Sequence, residues 1–337
     1  MDQRFEQLSH WVAQVLSTTD LDIKTASGDA SFRRYFRVYT DGGNYIAMDA
    51  PPDKEDSEPY VRIAEWLRSM GLNAPEIFYQ LPEEGFYLLS DLGDIQYLDR
   101  LNPQTAETLY QDAINALVRM QTRGYQYVSQ LPPYDAELLL KEMHLFSDWF
   151  LATHLGIELD ASQHQVFKQT CDVLIDNALQ QPAVFVHRDY HSRNLMVQEA
   201  RDSNPGILDF QDAVYGPVTY DLVSLLRDCY INWPQQQVMT LLERHYVLLS
   251  EQGVLVDVDF TQYQHWFDLM GVQRHLKATG IFARLNHRDG KPGYLDDIPR
   301  TMQYIYHVAS QYETLRPFLE LLLELSIKDK LQLGNVS

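Results

Sequence analysis

The chain has 337 residues, enough for two subdomains and a sizeable core. Its 27 Lys and Arg stand against 47 Asp and Glu, a formal net charge of −20, which argues against a nucleic-acid-binding surface and suits an acidic, soluble exterior. Two cysteines, Cys171 and Cys229, lack disulfide-framework or metal-ligand spacing, the opening residues lack a signal-peptide pattern, and no apolar run reaches the roughly 18 residues of a membrane span. The expectation is a soluble, reduced, cytoplasmic protein with neither nucleic acid nor membrane as a partner.

Residues 4–16 place Phe5, Leu8, Trp11, Val12, Val15 and Leu16 at helical spacing. From Phe32 to Tyr39, and again from Tyr45 to Met48, the pattern becomes aromatic and β-favouring. Thr40-Asp41-Gly42-Gly43 between these runs predicts a tight hairpin. Pro51 and Pro52 stop the second strand, residues 58–70 read as a helix, and 76–80 and 85–90 as two further strands. After Asp91-Leu92-Gly93-Asp94 the chain turns helical. Helices are expected over 103–122, 136–154, 161–179, 219–231, 236–252, 260–286 and 297–329. The fold class is α+β, with a small antiparallel sheet region before a large helical one.

Within the helical part lies Val186-His187-Arg188-Asp189-Tyr190-His191-Ser192-Arg193-Asn194, which spells H-R-D-x-x-x-x-N. Fifteen residues on, Asp209 ends the apolar run Gly206-Ile207-Leu208. Short apolar runs at 183–186, 195–197 and 206–208 read as strand pieces that would present Asp189, Asn194 and Asp209 from one side. Phosphoryl transfer from a nucleotide needs a carboxylate to take a hydroxyl proton and oxygen ligands for magnesium. Asp189 suits the first task, and Asn194 with Asp209 the second. Singly, each residue has a plain structural reading, such as a buried His187–Asp189 pair or Asn194 in a turn. The ordered set points to chemistry. His187 and Arg188 read as holding the loop. Asp212 stands open between supporting a metal through water and bonding the backbone. Asp221 reads as a helix cap or a pin beneath the loop.

The chain resembles the aminoglycoside phosphotransferase superfamily of small-molecule kinases over essentially its full length. Within it, the chain is most similar to bacterial anomeric kinases of N-acetylmuramate and N-acetylglucosamine. That likeness rests on Ser31-Phe32-Arg33-Arg34-Tyr35-Phe36-Arg37-Val38, Met48-Asp49-Ala50-Pro51-Pro52, Gln273-Arg274-His275-Leu276-Lys277, Gly280-Ile281-Phe282-Ala283-Arg284-Leu285 and Arg288-Asp289-Gly290-Lys291. The resemblance implies a protein-kinase-like bilobal fold. Residues 1–91 would form the nucleotide-binding lobe, and 92–337 a helical lobe with the catalytic loop and acceptor site. It implies an ATP- and magnesium-dependent sugar 1-kinase that returns recycled cell-wall amino sugars to precursor synthesis. A kinase of another small alcohol or amine (an aminoglycoside, choline or homoserine) is the alternative among enzymes. A catalytically silent nucleotide-binding module is the alternative outside them.

Two departures from the kinase pattern stand out. The loop Gly28-Asp29-Ala30-Ser31 has one glycine where three are usual, and Met48 occupies the strand position of the phosphate-binding lysine. Gly28 and Ser31 remain the expected loop contacts. The nearby cations are Arg33, Arg34 and Lys54; Arg33 and Arg34 alternate faces, and Arg34 is taken as the cleft-facing one. Leu89, Ser90 and Asp91 occupy the hinge that meets the adenine edge through the main chain. On the acceptor side, Arg274, Lys277, Arg284, Arg288, Lys291 and Arg300 stand against only Asp289, Asp296 and Asp297. This basic island either receives an anionic group, such as a lactyl carboxylate, or is a solvated helix face. Arg274, His275, Lys277 and Arg284 are its candidate acceptor ligands. Trp149 and Trp266 are open between stacking on a sugar and core packing.

Overall fold

A computed structural model of the chain describes residues 2–18, 20–28 and 32–332. In chain order the elements begin α1 (Gln3–Val15), β1 (Asp22–Gly28), β2 (Arg34–Thr40), β3 (Gly43–Asp49), α2 (Glu58–Ser69), β4 (Ile77–Leu81), β5 (Phe86–Ser90) and α3 (Tyr97–Arg100). They continue with α4 (Ala106–Arg123), α5 (Ala136–Leu145), α6 (Ala161–Leu179), β6 (Ala183–Val186), β7 (Leu195–Met196), β8 (Gly206–Ile207) and β9 (Val214–Pro217). The rest is helical: α7 (Tyr220–Leu226), α8 (Gln235–Glu251), α9 (Phe260–Asp289), α10 (Ile298–Ala309), α11 (Arg316–Glu324) and α12 (Ile327–Lys330). The chain divides into two compact units, Met1–Thr105 with Arg193–Asp212, and Ala106–Ser192 with Ala213–Ser337.

The first unit is built on an antiparallel sheet of order β1-β2-β3-β5-β4. Strand alternation sorts its side chains. Phe36 and Val38 of β2, Ala47 of β3, and Phe86 and Leu88 of β5 share one face, which packs on Leu8, Trp11 and Val12 of α1. The hairpin predicted at Thr40-Asp41-Gly42-Gly43 is present, with Thr40 opposite Gly43. The sheet has five strands rather than four because β1 was not predicted. Asp-Ile-Lys-Thr-Ala-Ser-Gly carries a single large aliphatic, and as an edge strand β1 buries little. The short pair β7–β8 joins this unit through Ile207 N–H, which donates to the Asn73 carbonyl at 2.8 Å.

The second unit is organised around the 30-residue α9, whose residues are almost all buried between Phe267 and Gly280. Gly290, at φ 65°, closes α9 in the left-handed conformation that favours glycine. The segment predicted as one helix over 136–154 is α5 followed by a π-helical stretch, Phe146–His154. The expected helix over 219–231 ends at Leu226. There Arg227 leaves helical geometry and the Asp228 carboxylate accepts from the backbone N–H groups of Ser192 and Tyr230, both at 3.0 Å. The expected 297–329 helix is broken near Tyr312 and restarts as α11 with Pro317 in its first turn.

Close packing of α9 depends on Gly280. A Cβ there would stand 2.3 Å from the carbonyl carbon of Leu145 and 2.4 Å from its oxygen, so the backbone itself would have to move. Gly280→Ala is expected to lower the unfolding free energy by about 2–3 kcal/mol. Urea titration of both proteins measures it, and an unchanged midpoint would contradict this packing.

Candidate active site

A cavity of about 350 Å³ opens within the first unit. Tyr35 and Arg37 of β2, Ile46 of β3, and Leu89 and Ser90 of β5 form the sheet side of its wall. The connecting residues Asp91 to Asp94, Tyr60 of α2 and the later residues Arg193, Asn194, Met196, Leu208 and Asp209 also line it. Leu89, Ser90 and Asp91 are among the residues of this wall. The Asp91 carboxylate is engaged by Arg37, at 2.7 and 3.1 Å, and by the Gly93 N–H at 2.9 Å. What this segment offers a ligand is its main chain, above the apolar wall of Ile46, Leu89 and Leu208.

Asn194 and Asp209 meet at the other side of this cavity. Asn194 Nδ2 donates to Asp209 Oδ2 at 3.2 Å, and Gln211 Nε2 donates to Oδ1 at 2.8 Å. The Leu208 N–H donates to the Asn194 carbonyl at 2.9 Å, which ties the two residues through the main chain. Asp209 itself sits at φ 62°, a left-handed conformation that aims its side chain off the end of β8. One carboxylate and one amide carbonyl form a hard-oxygen set that fits magnesium. Among the described residues no three or more His, Cys, Asp or Glu converge as a metal cage. A magnesium ion here would complete its shell with phosphate and water oxygens. Asp212 is exposed at the end of the segment and stays outside the cavity wall.

The second unit holds Asp189. The Asp221 carboxylate accepts from the N–H of His187 at 2.7 Å and of Arg188 at 3.0 Å, the pin expected from sequence. The Asp189 N–H turns to His187 Nδ1 at 3.2 Å. Arg188, at φ 78°, sends its guanidinium to Glu142. Glu142 also takes Lys277 at 3.0 Å and the Tyr134 hydroxyl. Desolvation pushes the Asp189 carboxyl up, but the charges of Lys277, His191, Arg274 and Arg188 outweigh it and hold the group below the ordinary carboxylate range. Burial pushes Asp221 up to about 7, against the two N–H groups that favour its anion.

The remaining expectations divide. Arg274 and Lys277 are buried beside Asp189, and the Arg274 Nε has no partner among the described residues. His275 is not an acceptor ligand. It is buried, stacked on Tyr304, with Nε2 on the Arg227 carbonyl at 2.9 Å, and burial holds its pKa near 3. Arg284 is half-buried, two turns along α9 from Lys277, and Arg288 pairs with the adjacent Asp289. Trp266 belongs to the core. Arg34 is also a correction. It lies on the α1 face of the sheet, paired with Asp49 and Asp2, because β2 alternation gives the cavity to Tyr35 and Arg37. Gly28 ends β1, and Ser31 lies outside the described residues. Sequence reasoning missed Glu142, Arg37 and Gln211. Glu142 and Arg37 look like surface charges until their distant partners are known.

Residues 22–252 match the model of the phosphotransferase enzyme family. The chain belongs to that family. It is 44% identical over 334 residues to an N-acetylmuramate/N-acetylglucosamine kinase of Pseudomonas aeruginosa, covering 96% of this chain and 97% of that one. A protein of the same name from Neisseria meningitidis is 42% identical, with 98% and 99% covered. Solved structures share the fold at low identity. Choline kinase LicA from Streptococcus pneumoniae superposes with TM-score 0.62 at 11% identity, over 91% of this chain and 100% of that one. ADP-bound aminoglycoside phosphotransferase APH(2'')-Ib gives 0.57 at 13%, over 88% and 97%.

Glu142 neutralises two buried cations. Glu142→Gln leaves Arg188 and Lys277 without their anion and is expected to cost about 3–5 kcal/mol of stability. Chemical denaturation tests this. A loss below about 1 kcal/mol would mean that the cluster is not electrostatically coupled.

Proposed function

We propose that this chain is an ATP- and magnesium-dependent kinase that phosphorylates the anomeric hydroxyl of N-acetylmuramate and N-acetylglucosamine. The observation that carries the reading is full-length similarity above 40% to two kinases named for those sugars. The charges around Asp189 support it. Buried Arg274 and Lys277 suit an acceptor that is neutral or anionic and disfavour a polycation or a quaternary amine.

In this reading, Asp189 orients the anomeric hydroxyl and takes its proton as the hydroxyl oxygen bonds to the γ-phosphorus. The bond from that phosphorus to the bridging oxygen breaks, and ADP leaves. Asn194 and Asp209 hold the magnesium ion, which when bound supplies charge neutralisation to the phosphates. The main chain from Leu89 to Asp91 receives the adenine edge. His187 and Arg188 keep the loop in place, and Arg274, Lys277 and Arg284 are the candidate acceptor contacts. Such a kinase would serve recycling of cell-wall sugars in the cytoplasm. No helix among the described residues is long and apolar enough to cross a membrane.

Two measurements test the reading. ADP release is followed with Mg-ATP and N-acetylmuramate, N-acetylglucosamine, kanamycin, choline or homoserine. Turnover is expected on the two amino sugars, and its absence on both would sink the substrate assignment. Asp189→Asn is expected to lower kcat by about 10²–10⁴ while ATP affinity survives. Near-wild-type turnover would remove Asp189 from the base role.

A further inference from the structure

Met48 leaves the cavity without the strand lysine that kinase-like folds use on the triphosphate. Met48 is wholly buried and stands opposite Tyr35 in the β2–β3 register. That register pairs Arg34 with Asp49, so one residue further back it carries Arg33 to the rung of Ala50. Arg33 is thus the diagonal neighbour of Met48 on the same face, within reach of a long side chain. Tyr35 and Arg37 line the cavity; Arg33 is not itself a wall residue and meets the wall through Tyr60.

The surroundings of Arg33 are those of a held cation. Its side chain is only 7% exposed, and its Nη2 lies 3.2 Å from Glu55 Oε2. Glu55 Oε1 accepts the Phe32 N–H at 3.0 Å, so one carboxylate fixes both the guanidinium and the backbone leading to it. The guanidinium lies 5.8 Å from the ring centre of Tyr60, a cavity-wall residue whose ring packs 4.9 Å from that of Phe210. Arg33 therefore stands behind the Tyr60 part of the cavity wall. Arg37 is engaged by Asp91 and the Gly93 carbonyl.

We propose that Arg33, oriented by Glu55, is the cation that binds the triphosphate in place of the missing lysine. The proposal deepens the function above and rests on its reading of this cavity as the nucleotide site. It moves the lysine's task one rung along the sheet and one strand over, and exchanges a point charge for a fork that can take two phosphate oxygens.

The test is calorimetric binding of adenosine, ADP and Mg-ATP to the full chain and its variants. Arg33→Met is expected to weaken ATP binding at least about fivefold, ADP less, and to leave adenosine within about twofold. Arg34→Met, on the opposite face, should leave all three within about twofold. A smaller ATP effect in Arg33→Met would overturn the proposal and turn attention to Arg193. So would an equal loss for adenosine, which marks a merely structural role. If Arg33→Met does not fold, Glu55→Gln carries the test, because releasing the guanidinium should produce the same phosphate-selective loss and its absence is fatal. Wild-type protein that bound no ATP would fail the nucleotide reading itself, a distinguishable result. A wrong sugar assignment would leave every one of these affinities untouched.

Discussion

The Asp221 carboxylate, buried beneath the H-R-D turn, is the constraint on which the second unit's chemistry rests. It accepts two consecutive backbone N–H groups, from His187 and Arg188. Two adjacent donors aimed at one carboxylate require a sharp turn, and Arg188 makes it at φ 78°. The turn sends the Arg188 guanidinium to Glu142, where Lys277 also binds. The positive charge near Asp189 is held by Glu142, which is itself fixed by the Tyr134 hydroxyl. Removing any member exposes the others to an uncompensated buried charge, so the loop, α5 and α9 behave as one electrostatic object.

In the first unit, the period of two along β2 does similar work with no network at all. Arg34 is drawn to the α1 face, where Asp49 is wholly buried and also receives Arg4. Arg33 and Arg37 are left on the cavity face, each with its own carboxylate. Three arginines within five residues thereby acquire separate partners: Arg34 takes Asp49 in the seam between helix and sheet, Arg37 takes Asp91 and the Gly93 carbonyl, and Arg33 takes Glu55 beside Tyr60.

Much of this was legible in the sequence, and the exceptions share a cause. The helices with clean 3.6 periods and the Asp-Gly hairpin stand where local pattern put them, since each buries a continuous apolar stripe. Strand β1 was not visible because an edge strand with one large aliphatic leaves no pattern. Glu142 was invisible for another reason. Its partners Arg188 and Lys277 lie 46 and 135 residues away, and no local rule distinguishes it from the neighbouring exposed acid Glu137. The basic island after Gln273 was real in sequence and uneven in space. A 30-residue helix turns Arg274 and Lys277 inward and Arg288 outward, while His275 faces a backbone carbonyl. The choice between Arg33 and Arg34 turned on which face α1 covers, a tertiary fact.

As the proposed base, Asp189 has electrostatics that bear on the kind of hydroxyl it could serve. Desolvation alone would strengthen it as a base, yet Lys277, His191, Arg274 and Arg188 together win and leave it weaker than an ordinary carboxylate. A weak base contributes little to an acceptor whose hydroxyl resists ionisation. An anomeric hydroxyl is more acidic than other sugar hydroxyls, so the mismatch between base and proton is smallest there. In the proposed reaction, the same cations would favour negative charge developing on the attacking oxygen. The site thus trades proton affinity for charge stabilisation. That exchange favours a loose phosphoryl transfer, in which positioning and neutralisation supply most of the rate.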